Sequence, residues 1–116
     1  MERLWVGLGA LAGLTGVGMS AYAAHALSGP AQASVTAAVE MQLWHALALL
    51  FVAMWARRGG RLVQLAGVAF TIGLVLFCGS IYATYLHGPR LTEFAPAGGM
   101  TLMGGWLLLG LSALRR

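Results

Sequence analysis

Three stretches of this chain, residues 4–39, 62–89 and 94–114, carry no charged side chain, and they are apolar at nearly every position. About 20 such residues suffice to cross the hydrocarbon core of a bilayer as a helix. A membrane barrel strand needs an apolar residue only at every second position, so continuous runs exclude it and the class is all-α. Composition agrees: 59% of residues are hydrophobic and 9% charged, too little polar surface for a small soluble domain.

Turn signals divide the runs into four expected spans, at about 4–25, 30–56, 61–86 and 96–114, forming one domain over residues 1–116. The first should stop before Ser28-Gly29-Pro30, with Pro30 opening the second helix, where its missing N–H is not needed. The second, roughly 27 residues and about 40 Å long at 1.5 Å per residue, should stop at Arg57-Arg58-Gly59-Gly60-Arg61. The third should end at Gly88-Pro89, and the fourth should begin at Pro96. Ala21-Tyr22-Ala23 and Ala24-His25-Ala26 have the small residues of a leader cleavage site. The charged segment before them pairs Glu2 with a single Arg3, so the first run is expected to remain as a span.

Short connections make an up-down bundle the expected architecture. Arg3, Arg57, Arg58, Arg61, Arg115 and Arg116 then share one side and only Arg90 falls opposite, which by the positive-inside rule places both termini in the cytoplasm. All the basic residues are Arg, a bias that reads as genome composition rather than a basic patch. Nucleic acid is not an expected partner despite the net charge of +4.

Helices in lipid gain little by hiding apolar side chains and must approach closely over small residues. Gly9 and Gly13 form a GxxxG that Gly16 and Ser20 extend, Gly98, Thr101 and Gly105 share a stripe on the fourth span, and Gly79 lies one turn from Tyr82. Gly99 joins the packing set beside Gly98. The pattern leaves open whether each stripe meets a helix of the same chain or of a second copy. Trp5 and Trp55 fit an interfacial belt on the cytoplasmic side, while Trp44 and Trp106 fit one less simply. Cys78 is a lone cysteine within a span and is read as a packing residue.

Polar groups inside a bilayer are costly and so mark candidate sites. His25, Glu40, Gln42, His45, Tyr82, Tyr85 and His87 gather towards the non-cytoplasmic end. Too few residues separate Glu40 from Arg57 to span, so Glu40 is expected to reach headgroup water. His45 lies about 7.5 Å deeper than Glu40 along the axis. Its imidazole donates one hydrogen bond and accepts another, with Gln42 or a tyrosine hydroxyl as the expected partner. No two histidines have ligand spacing within a helix, so no metal is expected even with Glu40 and Glu93 nearby. Without a P-loop, a GxSxG or any Asp, neither catalytic residues nor a cofactor are expected.

Four segments resemble one family in order along the chain. Ser20-Ala21-Tyr22-Ala23-Ala24-His25-Ala26-Leu27 is similar to its Gly-Ala-Phe-Gly-Ala-His-Gly-Leu signature, and Gln42-Leu43-Trp44-His45-Ala46-Leu47 to its Tyr-Gln-x-x-His-Ala-Leu. Leu76-Phe77-Cys78-Gly79-Ser80-Ile81-Tyr82 is similar to Phe-x-Gly-Ser-x-Tyr, and Ala95-Pro96-Ala97-Gly98-Gly99 to Thr-Pro-x-Gly-Gly, followed by Gly105-Trp106. These are the small YgdD-like and YwdK-like bacterial membrane proteins, a family extending to the eukaryotic transmembrane protein 256. The resemblance implies the four-helix membrane fold and a place in a bacterial inner membrane, and brings no activity or ligand with it. It shifts weight from the carboxylates to His25, Gln42, His45, Ser80 and Tyr82. The chain departs from the family pattern at Met41 (family Tyr), Ala95 (family Thr), and Ala23 and Ala26 (family Gly).

Two functions follow as expectations. The first is a non-enzymatic membrane protein that contacts lipid, a protein partner or a second copy, its polar residues clamping the bundle; it requires His45 to be buried, hydrogen-bonded and out of reach of water. The alternative is a small oligomeric transporter or proton-coupled binding protein, with His45 and Gln42 lining a polar crevice open to the outside.

Overall fold

The computed structural model describes residues 2–86, 88 and 90–114. The expectations placed on His87, Pro89, Arg115 and Arg116 lie outside the described residues. Among the described residues three helices are long and apolar enough to cross a membrane: α1 (Glu2–Ala26), α2 (Gly29–Leu86), and the run Thr92–Leu114, which is a 3-10 turn followed by α3 (Ala95–Leu114).

At 58 residues, α2 would be about 87 Å long if straight, yet the molecule measures 49 Å along its longest axis. It is broken at Gly60, where φ is 61° and ψ is −138°, a backbone conformation open to glycine and costly for other residues. Two antiparallel arms result, 29–59 and 61–86, closed by the hydrogen bond from Cys78 to the Ala38 carbonyl at 3.3 Å. The expected loop over residues 57–61 is therefore a break at one residue, with helix running up to it on both sides. Gly59 does separate work: a Cβ there would overlap Val63 and come within 2.7 Å of Trp55.

The arms form the centre. α1 packs on one side of them and α3 on the other, and α1 and α3 do not pack against each other among the described residues. Gly9 and Gly16 bring α1 against the first arm, where a Cβ would lie 2.9 Å from Leu50 and 2.7 Å from Leu43. On the other side Gly98 meets the backbone of Phe77, Leu102 sits over Gly73, and Gly105 accommodates the ring of Phe70. Gly13 and Gly79, expected at close contacts, meet nothing within 4 Å among the described residues, and Gly99 only reaches ordinary contact with Phe77 at 4.0 Å. Glycines occur on several faces of each helix, and only those turned towards a neighbour are needed for the approach.

The belt reading of Trp5 is also corrected. Its ring is 2% exposed, wedged against Gly67 of the second arm, with its indole N–H donated to Gln64 Oε1 at 2.7 Å. Burying an indole in hydrocarbon leaves its N–H needing an acceptor, and a facing helix supplies it. Outward-facing residues such as Leu14, Met54, Met100 and Met103 are more than 70% exposed, an apolar surface suited to lipid. Glu2 and Arg57 lie 3.4 Å apart at the end holding the Gly60 break, and Trp55 reaches Ser112 near the end of α3 at 3.1 Å. Arg3, Arg57, Arg58 and Arg61 thus share one end of the molecule.

Candidate functional site

Gln42 and His45 are separated by three residues on the first arm, which turns them about 60° apart around the helix. That angle sends them to different neighbours. His45 is 3% exposed and faces α3. Its Nδ1 lies 2.6 Å from the Met41 carbonyl, which only accepts, so Nδ1 carries the proton. Nε2 is then an acceptor, and Trp106 Nε1–H donates to it at 2.9 Å. The rings of Phe70 and Trp106 stand edge-on to the imidazole at 5.5 and 5.6 Å between centroids. Both nitrogens of His45 are thus engaged, Nδ1 with the preceding turn of its own arm and Nε2 in joining that arm to α3.

Gln42, 7% exposed, faces the other way. Its Nε2 donates to the Ala12 carbonyl and to Thr15 Oγ1 of α1, each at 2.8 Å. The Ala12 carbonyl fixes the orientation of the amide, since only the NH2 end can face it. Oε1 consequently points to the second arm and accepts from the Tyr82 hydroxyl at 2.7 Å. One side chain thereby ties three helical segments together. The expected partnership of Gln42 or a tyrosine with His45 does not form; Gln42 and Tyr82 bond to each other, and Trp106 is the partner of His45.

The remaining candidates stand apart. Ser80 is buried but returns its hydroxyl to the Phe77 carbonyl of its own helix at 2.9 Å. His25 is exposed in the last turn of α1, and Glu40 is exposed on the first arm. No group of three or more His, Cys, Asp or Glu side chains gathers among the described residues. Sequence reasoning missed Thr15 and Trp106 as members of these networks. The usable signal for Trp106 was its indole N–H at a depth where lipid offers no acceptor.

Beside Gln42, between α1 and the second arm, runs an open groove of about 230 Å³. Leu8, Leu11, Leu74 and Val75 supply apolar walls, and Thr15, Gln42 and Tyr82 form a polar patch at one end. Gly79 lines it with open space above, and His45 is not among its lining residues. It is a mostly apolar cleft rather than the polar crevice the transporter alternative required.

Residues 19–99 match the model of the family described as protein of unknown function (DUF423). The chain belongs to this family. Among relatives of this DUF423 protein, a UPF0382 membrane protein of Haemophilus influenzae is 31% identical, the match covering 99% of this chain and 97% of the relative. A second, from Staphylococcus haemolyticus, is 32% identical with 97% of both chains covered. The UPF0382 inner membrane protein YgdD of Escherichia coli is 33% identical over 98% of this chain and 92% of the relative. The resemblance to YgdD-like proteins is thereby established over nearly the full length. No solved structure matches the chain.

Proposed function

We propose that this chain is a multi-pass inner-membrane protein that crosses the bilayer four times with both termini in the cytoplasm, and that it is not an enzyme. Its role lies in contacts with lipid or a membrane-protein partner, and its buried polar residues are clamps that fix how the helices meet. The inner-membrane name of the Escherichia coli relative supports the location. The break at Gly60 supports two crossings within α2, and the cluster of Arg3, Arg57, Arg58 and Arg61 at one end supports the orientation.

The observation that carries the clamp reading is the state of His45. It is buried, fixed in one tautomer, and has no nitrogen left for a proton, metal or ligand. A proton relay needs a ring nitrogen free to exchange with its next partner, and a ligand site needs one to offer.

The test is nitrogen-15 NMR of the His45 ring in nanodiscs with a water-soluble paramagnetic quencher. The reading expects the Nδ1–H tautomer and a signal the quencher leaves intact. An Nε2–H tautomer, or a quenched signal, would transfer support to an aqueous pathway.

A further inference from the structure

We propose that the groove between α1 and the second arm is a binding site for a single-chain hydrocarbon with a hydrogen-bond-donating end, in the chemical class of long-chain alcohols. The lining residues of the second arm run from Thr71 to Tyr82, a length of about 16 Å along the axis. This is an elongated shape with Thr15, Gln42 and Tyr82 clustered at one end and the Thr71 hydroxyl alone at the other. The floor is built rather than accidental, because Gln42 is more than nine-tenths buried and its amide is held by three partners.

Selectivity follows from where the hydrogens go. Five lining side chains carry a polar hydrogen, and each donates it within the protein. Thr15 gives its hydroxyl to the Leu11 carbonyl at 2.8 Å and Thr71 to Gly67 at 2.9 Å. Cys78 gives its thiol to Ala38, Tyr82 its hydroxyl to Gln42, and Gln42 its amide hydrogens to Ala12 and Thr15. Lone pairs remain on Gln42 Oε1 and on the Tyr82 and Thr15 oxygens at one end, and on the single Thr71 hydroxyl at the other. Among the described residues no charged side chain lines the groove. The polar end is therefore an acceptor with no donor to give: it complements a hydroxyl, and it offers nothing to an ether, a ketone or a carboxylate.

The solvent makes this difference decisive. In water a hydrocarbon tail would drive binding by itself, but in a bilayer the tail is as well accommodated by lipid as by the groove. Shape and the hydrogen bond at the polar end are what distinguish one membrane solute from another. The inference does not depend on the clamp reading of His45, which lies outside the groove.

The test uses the full chain in phosphatidylcholine nanodiscs, a lipid without hydrogen-bond donors, and a hexadecanol carrying a diazirine on its tail. Photolabelling followed by peptide mapping should place the adducts within residues 8–15 and 71–82. Unlabelled hexadecanol should compete about fivefold better than hexadecyl methyl ether, the preference expected of one net hydrogen bond. Gly79→Leu, which projects a side chain into the open groove, should abolish the labelling. Equal competition by alcohol and ether overturns the proposal, as do adducts spread over the outward face around Met54 and Met103. A crosslink from the groove to a second copy also overturns it, making the cleft a protein interface. The competition arm uses the unmodified chain, so it decides the matter even if Gly79→Leu does not fold.

Discussion

At the scale of single residues, the bundle is held by indole and amide groups that lipid cannot satisfy. Trp5, Trp55 and Trp106 each donate their N–H to a facing helical segment, and Gln42 joins three segments. Interhelical hydrogen bonds in membranes average about 0.6 kcal/mol and reach roughly 1.7, because helices apart in lipid also find partners. Trp106→Phe is therefore expected to cost about 0.6–1.7 kcal/mol, and a double-mutant cycle with His45→Ala should return a coupling of that size. Additive effects in reversible detergent unfolding would mean the 2.9 Å contact does not form in the folded protein. Gln42→Leu should cost more than Tyr82→Phe, since it strands the Tyr82 hydroxyl and removes both bonds to α1, whereas the tyrosine change removes one partner of three; the same unfolding measurement ranks them. The sequence gathered the polar groups towards one end of the spans, because position along a helix follows from counting residues. It did not give their partners. Gln42 and His45, one turn apart, read as neighbours on one face, and the 60° between them is enough to commit one to α1 and the other to α3.

At the scale of helices, the deciding quantity is how closely two backbones come, and glycine count alone does not report it. α1 carries glycines at 7, 9, 13, 16 and 18, and only Gly9 and Gly16 face a neighbour closely enough to exclude a Cβ. A GxxxG at 9 and 13 was visible in the sequence, but the partner face is set by helices far along the chain. Long apolar helices were legible for the opposite reason: charge-free apolar length is a local property. The break in α2 was half legible, since Gly59-Gly60 marks a turn while the tightness of the reversal depends on Val63 and Trp55 closing over it. Gly98→Ala should destabilise by about 1–3 kcal/mol, because its Cβ meets the Phe77 backbone, which has no rotamer to move. Gly13→Ala should stay within about 0.5 kcal/mol. Equal effects in parallel unfolding titrations would show that the α3 approach is looser than described.

For the whole molecule, the arrangement of two central arms flanked by separate outer helices ties topology to the Gly60 break. If α2 reverses there within the bilayer thickness, residues 58 and 90 must emerge on opposite sides, although both belong to segments joined by one continuous helical stretch. The arginine distribution then favours residue 58 in the cytoplasm. With Cys78 replaced by Ala to remove the native thiol, Arg58→Cys and Arg90→Cys provide one reporter each. A membrane-impermeant maleimide should label position 90 in intact spheroplasts and position 58 only after lysis. Labelling of both from outside would mean that the arms do not form two crossings, and the 49 Å molecule would have to lie differently in the membrane. The inverse pattern would keep the four spans and reverse the orientation. Substituting Arg57, Arg58 and Arg61 together with Gln should weaken the bias and yield a mixed population at position 90, since these three and Arg3 are the described cations at that end and only Arg90 opposes them. A mixed population would assign the orientation to charge; unchanged labelling would assign it to the packing of α1 and α3 against the arms.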